Sequence, residues 1–186
     1  QAADCGFEIV SLSFGSGLSM EDTSEANHQK FLELAGYGDE KGVVLGGYSL
    51  LASRRIQPDS DNAINKQTGE PGGSTFGYAP ALASEWGQDY FAALRAFFKN
   101  TGFRQFTHDG SYPGDTDAAA RPPLQRGFDD SQWVQWNIIR DFYHFLRERG
   151  VYLRVPDYYY LSGANECGMG YREVNWSLPR AQQVIH

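Results

Sequence analysis

Three acidic residues sit where they could carry chemistry. Asp109 lies in "FTHDGSYPGD", directly after an apolar run and before a glycine. Asp157 closes another apolar run in "RVPDYYY", and Glu173 follows in "GMGYREVNWSLPR". A pair of carboxyl groups about 5 to 5.5 Å apart can open an acetal: one attacks the anomeric carbon while the other, kept protonated, delivers a proton to the departing oxygen. Each acid also has a plainer reading. Asp-Gly is a turn former, Asp157 can cap a turn after Pro156 or pair with Arg154, and Glu173 can pair with Arg172 or Arg180. His108 precedes Asp109, and successive side chains of a strand point to opposite faces, so a cleft-facing Asp109 would be backed by His108. Tyr112, Tyr158, Tyr159, Tyr160, Tyr171 and Trp176 follow the acid-bearing runs. Burial preference assigns some of these rings to the core, and the remainder suit the flat face of a sugar. The expected catalytic set is therefore Asp109, Asp157 and Glu173, with His108, Tyr112, Tyr158, Tyr171 and Trp176 around the substrate.

Such acids must be held by a scaffold, and the chain spells one out. Four glycines, Gly6, Gly42, Gly102 and Gly150, are each followed at once by a strand-like run: "FEIVSLSF", "VVLGGYSLL", "FRQFTHDG" and "VYLRVPDYYY". Glycine is favoured just past a helix end because it takes the left-handed conformation there without a side-chain penalty. Helical periodicity fills the intervals at residues 27–40, 89–100 and 131–149, with Glu85 and the "DDS" at 129–131 as acidic helix starts. On the last helix, Trp133, Trp136, Ile139, Phe142, Tyr143 and Leu146 recur at three and four. Strands alternating with helices predict a parallel sheet.

Two long segments, 52–80 and 109–130, are rich in Gly, Pro, Asp and Asn, and both follow strands, whereas the helix-to-strand links are short. That asymmetry belongs to folds whose sites lie at the C-terminal ends of parallel strands. A (β/α)8 TIM barrel takes about 250 residues, so the expectation is a partial barrel of about four β/α units: a single domain over 1–186, cut from a larger catalytic barrel. A complete doubly wound domain binding a phosphorylated ligand is the competing architecture, though no phosphate-binding fingerprint is present beyond the short "FGSG" at 14–17.

Composition narrows the partners. In 186 residues, 41% hydrophobic and 21% charged, the net charge of −7 and the lack of a basic stripe argue against nucleic acid. No apolar run reaches the roughly 20 residues needed to span a bilayer. Cys5 and Cys167 are too far apart to suggest a metal cluster, and neither a zinc-binding H-E-x-x-H nor a G-x-S-x-G elbow occurs. The expected partner is a carbohydrate, with neither metal nor cofactor; a non-catalytic carbohydrate-binding domain is the other class.

Taken together, "FGSG", "GGYSLLASRR", "HDGSYPGD", "DDSQWVQW", "VPDYYYLSG" and "GYREVNWSLPR" resemble the catalytic barrel of melibiase-like bacterial glycoside hydrolases of the α-galactosidase superfamily. The resemblance covers nearly the whole chain and implies a span from about the second to just past the fifth barrel strand. It implies a retaining α-glycosidase, an extracytoplasmic location, and a nucleophile at the end of strand four, which is Asp109. The α-galactosidases proper carry a lysine two residues before that aspartate. Thr107 stands there instead, so the sugar does not carry over. Their acid lies on strand six, beyond His186, whereas endo-α-N-acetylgalactosaminidases resemble a scheme with the acid near strand five, which suits Asp157 or Glu173.

Overall fold

The computed structural model describes residues 1–110 and 114–155, and the backbone of 167–168. Strands β1 (Ile9–Leu12), β2 (Val44–Leu50), β3 (Gln105–Asp109) and β4 (Tyr152–Arg154) alternate with helices α1 (Glu25–Glu40), α2 (Glu85–Thr101) and α3 (Phe128–Arg147), and a two-residue strand β5 (Cys167–Gly168) follows. All are parallel, and each pairs with its chain neighbour in the order β1-β2-β3-β4-β5. A doubly wound sheet reverses its strand order at a switch point. The order here runs without reversal, as in one arc of a (β/α)8 barrel. β5 was not expected, because two residues are too short to show a period.

Local chemistry explains the helix boundaries. Ser24 and Ser84 cap α1 and α2, each hydroxyl accepting a hydrogen bond at 3.3 Å, from the backbone N–H of Asn27 and Gly87 respectively. The Ser84 cap starts α2 four residues earlier than periodicity indicated. Before α3 the Asp130 carboxylate accepts from the backbone N–H groups of Arg126 and Gly127 at 3.1 and 3.0 Å, and the Arg126 amide is the chief reason its pKa is lowered. Gly42, Gly102 and Gly150 all have φ near +71° (71, 72 and 70) where helix gives way to strand.

The core lies between the sheet and the helices. Phe31, Phe97, Phe103, Phe106, Phe142, Leu94, Ile139, Leu146 and Leu153 are all fully buried there. Their rings meet largely edge to face, as Phe97 does Phe103 at 5.1 Å and Phe98 does Phe106 at 5.3 Å. Each such side chain contributes about 1.5–3 kcal/mol by leaving water. Not every member of the α3 repeat is buried: Trp133 is 64% exposed and stacks on Trp136 at 5.2 Å. Gln135, Ile139, Phe142 and Leu146 form the buried stripe of α3, and Trp133 lies roughly 150° around the helix from its centre.

The two long post-strand segments are clamped to one another. Asp117 is fully buried; its Oδ1 accepts from the Ile64 N–H at 2.9 Å, and its Oδ2 from Arg121 Nε at 2.6 Å and Gln125 Nε2 at 2.9 Å. Arg121 donates onward to the carbonyls of Ser60 and Asn62 at 2.7 and 2.8 Å. The rim above the strands is thus braced by a buried ion pair. No helix among the described residues is long and apolar enough to cross a membrane.

Candidate functional site

Register and alternation sort the strand residues onto two faces. Tyr48 pairs with Thr107, Leu50 with Asp109, Gly46 with Gln105, and Arg154 with Thr107. Paired residues of parallel strands point the same way, so Tyr48, Leu50, Gln105, Thr107, Asp109 and Arg154 share the face away from the helices. Phe106 and His108 point into the core.

Asp109, the last residue of β3, is half-buried. The Tyr48 phenol donates to its Oδ2 at 2.5 Å. Its backbone carbonyl accepts from the Leu51 N–H at 2.6 Å, which extends the β2–β3 ladder past the strand end. The next residue, Gly110, has φ +90° and sits so close to Ala52 that an added Cβ would lie 2.2 Å from its backbone nitrogen. Only glycine fits that approach. The Asp-Gly pair is therefore a turn and a strand end at once, and the acid emerges at the rim.

Two clefts flank this point. A cavity of about 740 Å³ between the β1–α1 turn and the end of β2 is lined by Phe14, Gly15, Glu21, Tyr48, Leu50 and Arg54. Phe14 is 75% exposed, and its ring meets that of Tyr48 edge-on at 5.0 Å. Arg54 is fixed by a two-pronged contact with Glu21 at 2.7 and 3.1 Å, and its guanidinium lies over the Trp86 ring at 4.9 Å. On the other side a more apolar cavity of about 320 Å³ runs between the two long segments, lined by Leu51, Phe76, Gly110, Asp115, Gln135 and Ile139.

Behind the sheet, His108 has no exposed surface. Its Nε2 lies 3.1 Å from the Tyr90 hydroxyl, which is 2.6 Å from Ser49 Oγ, and its Nδ1 lies 2.9 Å from the Tyr143 hydroxyl. Burial pulls the His108 pKa down to about 3 and pushes that of Tyr90 up, so the ring is neutral. A neutral imidazole donates through one nitrogen and accepts through the other, so these hydrogen bonds run in one direction. The expectation that His108 meets substrate gives way to a supporting place, for the reason the alternation supplied: it faces opposite to Asp109.

Tyr112, Asp157, Tyr158, Tyr171, Glu173 and Trp176 lie outside the described residues. Tyr48, Phe14 and Phe76 were not among the residues the sequence singled out. "GGYSLL" does place Tyr48 and Leu50 on one face, but the register against β3 leaves no local trace. "FGSG", weighed above as a fragment of a phosphate motif, instead seats Phe14 on Tyr48. Among the described residues no three His, Cys, Asp or Glu side chains are grouped to hold a metal ion.

No family model and no curated protein sequence matches the chain. Solved structures of similar shape include the α-N-acetylgalactosaminidase NagBb from Bifidobacterium bifidum. Its complex with GalNAc aligns with a TM-score of 0.53 at 13% identity over 82% of this chain and 26% of that one. Its Gal-NHAc-DNJ complex aligns with a TM-score of 0.55 at 14% identity over 83% and 25%. The chain thus spans about a quarter of the length of these structures. At this identity the likeness reaches the fold alone: a parallel β/α arc of the kind found in a glycosidase, which does not by itself place the chain among the melibiase-like enzymes.

Proposed function

We propose that this chain carries the nucleophile of a retaining glycosidase that cleaves O-glycosidic bonds in oligo- or polysaccharides. The observation that carries the reading is the placement of Asp109: a carboxylate at the C-terminal end of a parallel strand, held by Tyr48, which lines one cleft, and followed by Gly110, which lines the other. In the first step an Asp109 oxygen bonds to the anomeric carbon, the glycosidic C–O bond breaks, and the leaving oxygen takes a proton from a general acid. Water then bonds to the anomeric carbon, returns a proton to that acid, and releases the Asp109 carboxylate.

Asp157 and Glu173 are the proposed acids within this chain, and Tyr112, Tyr158, Tyr171 and Trp176 the proposed sugar contacts. An α-linked sugar of the galactose type is the finer reading, supported by the motif resemblance and by the neighbour whose complexes hold GalNAc and Gal-NHAc-DNJ. A fluorosugar that traps the covalent intermediate on the full-length enzyme, followed by peptide mapping, tests the assignment. Label on Asp109 is expected. Label on another residue rejects it, and sugar binding with neither label nor turnover points to a carbohydrate-binding domain.

A further inference from the structure

We infer that Tyr48 is a positioning residue for Asp109, holding Oδ2 so that Oδ1 is the oxygen left to meet substrate. What Oδ1 attacks rests on the glycosidase reading; that the carboxylate is held this way does not.

An aspartate at a strand end keeps two freedoms, the backbone beyond the ladder and its own side-chain torsions. The first is removed by the Leu51-to-Asp109 backbone hydrogen bond and by Gly110 packed against Ala52. The second is soft, because the torsion that exchanges the two carboxylate oxygens is broad and roughly two-fold. A short O–H···O⁻ contact is among the stronger hydrogen bonds, and the 2.5 Å contact from Tyr48 falls on that torsion. Among the described residues no other donor contacts the carboxylate.

Reach explains why the residue is a tyrosine. Position 48 pairs with Thr107, two residues short of Asp109, whose own partner is Leu50. That is a rise of roughly 6.6 Å along the sheet, spanned by a long side chain leaning along the strand. A serine or aspartate at 48 would fall short. Phe14, edge-on to the Tyr48 ring and otherwise largely exposed, buttresses the phenol from the β1–α1 turn.

The contact also acts after bond formation. Once Oδ1 is bonded to the sugar, Oδ2 becomes the ester carbonyl and still accepts from the phenol. When the ester breaks, Oδ2 regains negative charge and that hydrogen bond strengthens. Removing the phenol should therefore misplace the attacking oxygen and, more distinctively, slow release of the covalent intermediate.

The test uses the full-length enzyme and an activated aryl glycoside. Tyr48→Phe keeps the ring; kcat should fall roughly a hundredfold, KM should fall with it, and a burst of about one aryl alcohol per active site should appear as the intermediate accumulates. Tyr48→Leu should lose as much turnover and also melt lower. Tyr48→Phe with turnover within about twofold of wild type, or with a raised KM and no burst, overturns the inference. A wild-type enzyme inert toward every glycoside would strike at the glycosidase reading instead. The carboxyl carbon-13 resonance of Asp109 then decides this inference by itself: a difference between wild type and Tyr48→Phe supports the hydrogen bond, and an unchanged resonance refutes it.

Discussion

The two faces of the sheet differ in burial, and the division falls between consecutive residues. On the helix side, Leu45, Phe106, His108 and Leu153 are buried, and even the polar members are paired, His108 on both nitrogens. On the other side, Ser11, Tyr48, Leu50 and Asp109 are half-buried, and polar groups meet one another, as Gln105 Nε2 does Thr107 Oγ1 at 2.7 Å. A buried polar group costs stability unless it is partnered, which is why His108, Tyr90, Ser49 and Tyr143 close on one another behind the sheet. A group that must meet a ligand cannot have every partner supplied by the protein. The lesson is that residue 108 is sealed into the core while residue 109, one position on, is left half-buried at the strand end, where the proposed chemistry would need it.

That division can be broken by experiment. The largest effect is expected from Asp109→Asn, which should lower turnover of the full-length enzyme by roughly four orders of magnitude while the melting temperature barely moves. A large loss of stability with intact turnover would reverse the roles of the two faces. Next comes the rim. Asp117→Ala leaves Arg121 buried beside an empty place, and losing one partner of a buried pair costs about 3–5 kcal/mol; denaturant unfolding should show it, and a loss below about 1 kcal/mol would mean the long segments are not braced as described.

The smallest effect sharpens the comparison at His108. Its pKa is about 3 in the fold against an ordinary 6.5. Between those values the unfolded chain binds a proton that the folded chain refuses, so stability falls as the pH drops through this window and levels off below it. From pH 7 to pH 5 the loss attributable to this ring is about 2 kcal/mol. The measurement is the difference in that slope between wild type and His108→Phe. An unchanged slope would mean the imidazole is not the neutral, sequestered group its surroundings require.

Much of this was legible in the chain. Periodicity located all three helices, and the glycines at 42, 102 and 150 marked where each gives way to a strand, because both signals are local. The long segments after strands are present as read, clamped together through Asp117 and Arg121. The repeat on the last helix did not say which of its members are buried, because steps of three drift around a helix, and Trp133 falls outside the buried stripe. β5 left no signal, since its two residues gain strand geometry only by pairing with Leu153 and Arg154.

Asp109 itself could be picked out by its surroundings, an apolar run before it and a glycine after, and alternation alone put His108 on the opposite face. Those are properties of neighbouring residues, and the sequence by itself determined them. The phenol that holds the carboxylate comes from a residue 61 positions earlier, and the Phe14 ring behind it from a third segment. Only the tertiary structure decided these, because the register of parallel strands is set by hydrogen bonds between distant segments, and no local pattern records which residue will lie beside which.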